Sequence, residues 1–170
     1  GRGNRLMPST ATAPKCFTEV RGSRILDRTL DAFADNGIDD IFFIGGYQID
    51  CVREAYPQFT FRHNDDWENN NILASLMYAR DLMDEPFICT YSDVLFTADV
   101  IKKLLLVTDD IVVVVDTAWL DRYVHRTEHP PEDAEKVIVG NGAVTRVHRG
   151  INPDAAHGEY IGVAKFSATG

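Results

Sequence analysis

The segment from Gly1 to Lys15 combines glycines with cationic side chains. Gly1 and Gly3 carry no side chain, so an anion can approach the backbone N–H groups there, and Arg2 and Arg5 can neutralise its charge. The segment lacks the third glycine of a dinucleotide fingerprint and the Lys-Ser/Thr pair of a Walker A loop. Read on its own, it predicts either a phosphate-binding loop of another kind or a terminal tail.

One carboxylate follows a predicted buried strand, which spans Phe87 to Tyr91. Asp93 would therefore lie at the carboxyl end of that strand, where parallel α/β sheets collect their ligands. A Mg²⁺ ion that bridges phosphate oxygens is usually held by one or two carboxylates, and Asp93 is our candidate ligand. The structural alternative is that Asp93 caps the next helix.

A cluster of amide and hydroxyl side chains precedes the predicted helix that contains Leu73 and Leu76. Asn64, Asn70, Asn71 and Ser75 offer the donors and acceptors that can read the edge of a pyrimidine. Asn70 or Asn71 can equally cap the helix. We expect one of these two residues to serve each purpose.

Aromatic and acidic residues recur in the last third of the chain. Trp119, Tyr123 and Tyr160, with Asp116 and Glu159, would suit a cationic head group, because aromatic faces and carboxylates both attract ammonium. Packing in the hydrophobic core is the alternative for the three aromatic rings.

Short apolar runs alternate with amphipathic patterns along the chain and predict parallel α/β units. The predicted helices centre on Leu30, Val52, Leu76 and Leu104, the predicted strands on Phe43, Phe61, Cys89 and Val113, and the predicted hairpin turns at Gly140-Asn141-Gly142. The loops after Ile44, Tyr91 and Val115 should hold the chemistry, since they follow the carboxyl ends of strands. We predict one domain, residues 1–170, with a doubly wound and mostly parallel sheet.

Charge and composition exclude several classes of function. The chain of 170 residues has 17 Lys and Arg against 26 Asp and Glu, a formal net charge of −9. Such a surface repels nucleic acid, and no apolar run is long enough to span a membrane. The three cysteines are odd in number and far apart, which argues against a disulfide framework or a zinc site. We expect a cytoplasmic protein.

The opening segment, GRGNRLMPSTATAPK, resembles the signature loop GxGxRLxPxTxxxPK of the nucleotidyltransferases that join a nucleoside triphosphate to a small phosphorylated substrate. Other motifs follow in the order of that superfamily: Val20-Arg21-Gly22, Gly46-Tyr47, Asn64, Trp67, Asn70-Asn71, Ser75-Leu76, Pro86-Phe87 and Ser92-Asp93-Val94-Leu95-Phe96. The segments around Trp67, Trp119 and Glu159 look more like the branch of cytidylyltransferases that act on phosphocholine or small phosphonates.

The resemblance implies a Rossmann-like nucleotidyltransferase fold and Mg²⁺-dependent transfer of CMP from CTP to 2-aminoethylphosphonate, 2-hydroxyethylphosphonate or a phosphocholine-like acceptor. Arg5 and Lys15 would be catalytic and Asp93 would bind the metal. The implied nucleotide-binding residues are Gly1, Arg2, Gly3, Asn70, Asn71 and Ser75. The implied acceptor-binding residues are Asp116, Trp119, Tyr123, Lys136, Arg149, Glu159 and Tyr160. The family places a basic residue after the hairpin, where Arg149 stands in place of the more usual lysine, and Lys136 is the alternative.

Two other functions are consistent with the same motifs: a sugar-1-phosphate nucleotidylyltransferase and a non-catalytic nucleotide-binding domain. The family usually has a strand before the glycine loop and a second metal-binding carboxylate in its last third. We therefore expect the domain to be truncated at both ends. Fusion to another enzyme and pairing into a homodimer both stay open.

Overall fold

The computed structural model describes residues 12–124, 126 and 130–170. Its five α-helices in these ranges are α1 (Ile25–Ala34), α2 (Ile49–Ala55), α3 (Ile72–Met77), α4 (Ala98–Leu106) and α5 (Trp119–Tyr123). The strands there are β1 (Glu19–Val20), β2 (Ser23–Arg24), β3 (Phe42–Gly45), β4 (Thr60–His63), β5 (Phe87–Thr90), β6 (Ile111–Asp116), β7 (Lys136–Gly140), β8 (Ala143–Val147) and β9 (Gly158–Phe166). Short 3-10 turns connect several of them. None of these helices is long and apolar enough to cross a bilayer.

Helix α1 forms where the apolar spacing predicts it. Ile25, Leu26 and Phe33 are buried on one face, as an amphipathic helix requires. The helix ends at Ala34, and the turn that follows it closes at Gly37, whose φ of +73° is the left-handed conformation that glycine adopts most readily. The N–H of the following residue, Ile38, then donates to the carbonyl oxygen of Phe33 at 3.1 Å. This hydrogen bond closes the turn through which the chain passes from α1 to β3.

The described strands form a parallel β3–β4 pair and a five-stranded antiparallel sheet, which corrects the prediction of one mostly parallel sheet. Among the described strands, β3 and β4 form a parallel pair joined through α2, and every other pairing is antiparallel. β9 is the cause, because it lies between β5 and β6 and runs antiparallel to both. β5 and β6 therefore run in the same direction without pairing with each other. The α/β class itself is confirmed.

The predicted hairpin is confirmed in its turn and its strands. β7 and β8 pair antiparallel from Val137 opposite Val147 to Gly140 opposite Ala143. Asn141 and Gly142 form the turn with φ values of +53° and +80°. Two positive φ values are the signature of the tight hairpin turns that match strand twist.

Two buried clusters fix the strands against the helices. Cys16, Leu26 and Val52 belong to the cluster that packs α1 and α2 on the β3–β4 pair, and Ile101 and Val163 belong to the one that packs α4 on β9. All three cysteines are free. Burial raises the pKa of the Cys16 thiol to about 11, so this thiol stays protonated and unreactive at neutral pH.

Candidate active site

A cavity of about 430 Å³ opens where β3, β4 and β5 end. Gly46 follows β3, Asn64 follows β4 and Tyr91 follows β5, and all three line it. The segment that leads into α3 forms another wall, and Glu135 and Arg149 complete the lining. The cavity lies at the loops after Ile44 and Tyr91, two of the three strand ends where we expected the chemistry, whereas Asp116 at the end of β6 does not line it.

Asn64 organises the polar wall of the cavity. It is 1% exposed, and its amide nitrogen donates to Asn70 Oδ1 at 2.9 Å and to Ser75 Oγ at 2.6 Å. Its amide oxygen accepts from Asn70 Nδ2 at 2.9 Å and from the backbone N–H of Asp66 at 3.1 Å. Every hydrogen-bonding position of Asn64 is therefore occupied within the protein.

This network also fixes the orientation of the Asn70 amide. The backbone N–H of Asp66 can only donate, so the atom of Asn64 that faces it must be the oxygen. Asn70 then has to present its own oxygen to Asn64 Nδ2 and its own nitrogen to Asn64 Oδ1. One N–H and one lone pair of Asn70 stay available on the cavity wall.

Asn71 is the asparagine that caps α3, and it also lines the cavity. Its side-chain oxygen accepts from the backbone N–H of Ala74 at 2.9 Å, which caps α3. Asn71 also lines the cavity, as Asn70 and Ser75 do. The structure thus brings together the described residues that the sequence assigned to the nucleotide.

Lys15 and Asp93 form an ion pair with a distance of 2.5 Å between Nζ and Oδ2. Asp93 lies on the loop after β5, two residues beyond the cavity-lining Tyr91. Its side chain is 29% exposed and that of Lys15 is 39% exposed, so a ligand can reach both. Gly1, Arg2, Gly3 and Arg5 were also predicted to act here, and they lie outside the described residues.

Asp93 is suited to be one protein ligand of a Mg²⁺ ion. No group of three or more potential metal ligands occurs among residues 12–124, 126 and 130–170. Mg²⁺ in phosphate chemistry needs only one or two carboxylates, because substrate oxygens and water supply the rest of its octahedron. A single accessible carboxylate beside a lysine is consistent with that kind of site.

The aromatic residues of the predicted acceptor pocket pack in the core instead of lining the cavity. Trp119 is 2% exposed and Tyr123 is 8% exposed, and they form a cluster with Ala134. The Tyr123 hydroxyl donates to Glu159 Oε1 at 2.6 Å, and burial together with this carboxylate raises the pKa of the phenol. Asp116 pairs with Arg122.

Tyr160 does not line the cavity itself but packs against Tyr91, which does. Its ring meets the Tyr91 ring edge to face, with 6.1 Å between the centroids. Burial raises the pKa of Tyr160, so its hydroxyl is neutral at physiological pH. Tyr160 therefore supports a wall of the cavity through Tyr91.

Lys136 and Arg149, the two alternatives for gripping the acceptor's phosphate, are placed very differently. Lys136 is fully buried and donates from Nζ to the carbonyl oxygens of Pro131, Glu132 and Ala134 at 3.0, 2.9 and 3.2 Å. Its three ammonium hydrogens are thus used within the protein. Arg149 lines the cavity.

Sequence reasoning did not select Tyr91 or Glu135 as functional residues. The Tyr91 hydroxyl donates to Glu135 Oε2 at 3.3 Å, and Arg149 Nη2 lies 3.5 Å from Glu135 Oε1. Burial and the nearby Glu135 carboxylate raise the pKa of Tyr91 to about 12. Tyr91 follows β5 and Glu135 precedes β7, so a signal for them would have required knowing that the end of β5 and the start of β7 meet at one cavity.

Comparison with protein families settles the kind of enzyme. The profile described as "MobA-like NTP transferase domain" matches residues 1–138. The chain belongs to the MobA-like NTP transferase family. This nucleotidyltransferase assignment agrees with the glycine-rich opening loop and with the cavity at the strand ends.

The curated relatives of this nucleotidyltransferase are named for different nucleotides and different acceptors. A CTP:phosphoglutamine cytidylyltransferase from Campylobacter jejuni is 30% identical over 98% of the chain and 70% of its own length. A UTP–glucose-1-phosphate uridylyltransferase from Haloferax volcanii is 30% identical over 61% of the chain and 45% of its own length. A 2-aminoethylphosphonate cytidylyltransferase from Lancefieldella rimae is 29% identical over 52% of the chain and 38% of its own length.

A solved structure confirms the nucleotidyltransferase fold. The inositol-1-phosphate CTP transferase from T. maritima superposes with a TM-score of 0.79 over 99% of this chain and 68% of its own, at 20% identity. The Rossmann-like nucleotidyltransferase fold expected from the sequence is therefore present, with the mixed strand pairing described above.

We predict that Lys136→Met destabilises this nucleotidyltransferase by about 3 kcal/mol, since the three backbone carbonyl oxygens around the buried ammonium lose a charged donor. Guanidinium chloride unfolding would measure the change. Lys102→Met is the matched control, because Lys102 is exposed on α4 and its loss should change the free energy of unfolding by less than about 0.5 kcal/mol. Equal stability of the two variants would show that the Lys136 contacts contribute nothing.

Proposed function

We propose that this protein transfers CMP from CTP to a small acceptor that carries a phosphate or phosphonate group, with release of pyrophosphate. The observation that carries the proposal is the cavity at the strand ends, where Asn70, Asn71 and Ser75 face the same space as Arg149. A base-reading wall and a cation for the acceptor's oxyanion are the two requirements of this reaction. The relative from Campylobacter jejuni, named as a cytidylyltransferase, supports the choice of nucleotide.

The chemical step needs positioning and positive charge more than covalent catalysis. An oxygen of the acceptor's phosphate or phosphonate attacks the α-phosphorus of CTP, a new P–O bond forms, and the bond to the bridging oxygen of the β-phosphate breaks. The electron pair of that bond leaves with pyrophosphate. Both reactants are anions, so the cations Lys15 and Arg149 would offset their repulsion and stabilise the transition state.

Asp93 would hold the metal in this scheme. Bound Mg²⁺ would neutralise charge on the triphosphate oxygens. Lys15 is in direct contact with the Asp93 carboxylate, so both charges would meet the same triphosphate. Arg5 and Arg2 would add charge from the opening segment, as the resemblance implies.

The fixed orientation of Asn70 supports discrimination between CTP and UTP, and the cytidylyltransferase from Campylobacter jejuni supports CTP as the preferred nucleotide. Cytosine presents an exocyclic amine and an unprotonated ring nitrogen, whereas uracil presents a carbonyl and a ring N–H. An amide that is free to rotate could serve either base. Asn70 is not free, because Asn64 and the Asp66 N–H hold its orientation, so one base would leave its polar groups unpaired.

We predict that kcat/KM for CTP exceeds that for UTP by on the order of 10²-fold, as expected when a polar edge must be matched. Pyrophosphate release with each of the four ribonucleoside triphosphates, at one fixed acceptor concentration, would measure it. Asn70→Ala should reduce the ratio at least tenfold. The matched control is Asn69→Ala, since Asn69 is exposed and bonds to the Asp66 side chain.

A sugar-1-phosphate nucleotidylyltransferase is the second candidate, favoured by the uridylyltransferase from Haloferax volcanii. Turnover of UTP with glucose-1-phosphate at a rate equal to or above that of CTP with phosphonate acceptors would favour it. A non-catalytic nucleotide-binding domain would bind CTP and release no pyrophosphate with any acceptor.

A further inference from the structure

One wall of the cavity carries two opposite charges. Among the described lining residues, Glu135 is the one carboxylate and Arg149 the one cation. Their nearest atoms are 3.5 Å apart, and the side chains are 31% and 68% exposed. An ion pair this open contributes little to stability, with typical values below about 1 kcal/mol. Both groups therefore stay accessible to a ligand.

The backbone of Glu135 is held from both sides. Its carbonyl oxygen accepts from the Tyr160 N–H of β9 at 2.8 Å. Its neighbours in sequence, Ala134 and Lys136, are 1% and 0% exposed, and the Lys136 ammonium binds the carbonyls of the preceding turn. Of residues 134–136, Glu135 is the one that lines the cavity, where the Tyr91 hydroxyl donates to its carboxylate.

The carboxylates that the sequence suggested for a cationic acceptor are engaged elsewhere. Asp116 pairs with Arg122 and accepts from the Ala118 N–H at 3.0 Å. Glu159 accepts from the buried Tyr123 hydroxyl. Neither lines the cavity. A positively charged group in the cavity would meet Glu135 first, beside the ring of Tyr91, whose face also attracts ammonium.

We infer that Glu135 is a specificity-determining residue that binds an ammonium group of the acceptor, while Arg149 binds its phosphorus oxyanion. This inference rests on the proposed function and names the acceptor class as a small zwitterion, an amine or amino acid that carries a phosphate or phosphonate. Such a ligand would replace the loose Glu135–Arg149 contact with two ion pairs of its own.

Calorimetric binding of two acceptors tests the inference independently of turnover. The probes are 2-aminoethylphosphonate and 2-hydroxyethylphosphonate, which differ in charge at one end, each titrated into protein with Mg²⁺ and the α,β-methylene analogue of CTP. We expect the amine to bind wild type at least tenfold more tightly than the alcohol. Glu135→Gln should remove that preference and leave the affinity for the alcohol within about threefold.

Two further variants separate recognition from structure. Glu135→Asp keeps the charge and should retain part of the preference, and Glu132→Gln removes an exposed carboxylate from the adjacent turn and should retain all of it. Equal binding of the two probes to wild type, binding of neither, or an equal loss of both in Glu135→Gln would overturn the inference. Failure of the proposed function has a different signature, which is the absence of pyrophosphate release with every acceptor.

Discussion

Asp93→Asn is expected to lower pyrophosphate release by at least ~10²-fold, the scale on which a single preorganised charge-stabilising group contributes. The substitution keeps the shape of the side chain and removes the charge that would hold Mg²⁺. Asp93 is partly exposed at a strand end, so its replacement creates no core cavity. Initial rates at saturating CTP, measured over a range of Mg²⁺ concentrations, would show the loss.

The control for Asp93→Asn is Asp99→Asn, because Asp99 is an exposed carboxylate in the first turn of α4. It should have the rate and the Mg²⁺ dependence of wild type. A wild-type rate for Asp93→Asn at all Mg²⁺ concentrations would remove Asp93 from the mechanism.

Lys15→Met should also reduce kcat by on the order of 10²-fold, because the charge that it supplies to the triphosphate is needed most in the transition state. Thermal unfolding should change little, since the ion pair with Asp93 is partly exposed. Single-turnover rates would separate the chemical step from CTP binding.

Combining Lys15→Met with Asp93→Asn tests whether the two residues act together. If the two residues act on one triphosphate, their combined loss should be much smaller than the product of the two single losses. Lys102→Met is the control for the loss of a lysine, and it should leave kcat unchanged. A fully multiplicative loss would show that the two residues act independently, in spite of their contact in the structure.

Individual helices, strands and turns were predictable from the sequence where one local physical rule determines them. The apolar spacing from Ile25 to Phe33, followed by Asn36-Gly37, fixes both the face and the end of α1. The Asn141-Gly142 pair fixes the hairpin, because few other residues adopt two consecutive positive φ values. The predicted buried strand from Phe87 to Tyr91 and the β-branched run from Ile111 to Val115 located β5 and β6 to within one residue.

Sheet topology depends on long-range pairing, which local patterns do not encode. The motif from Gly158 to Gly162 was noticed for its resemblance, yet nothing in its spacing says that β9 lies between β5 and β6. Because β9 runs antiparallel to its neighbours, the five-stranded sheet that contains β5 and β6 is antiparallel and not parallel. It also brings Tyr160 against Tyr91 and so helps to shape the cavity.

The sequence indicated which side chains could bind a substrate, but it did not indicate where each of them lies in the fold. Residue type identified Asn70, Asn71, Ser75 and Arg149, and the structure brings them to one cavity. Type alone could not separate Lys136 from Arg149, since both are cations on the late part of the chain. Burial separates them, because the Lys136 ammonium is enclosed by backbone carbonyls.

The most direct test of CMP transfer follows the oxygen atoms of the acceptor. The protein is incubated with CTP, Mg²⁺ and 2-aminoethylphosphonate whose phosphonate oxygens are ¹⁸O, and the products are analysed by mass spectrometry. Attack on the α-phosphorus predicts a CMP–aminoethylphosphonate product that retains every labelled oxygen, together with unlabelled pyrophosphate. A phosphorylated acceptor with CDP as the second product, or label in the pyrophosphate, would contradict the account.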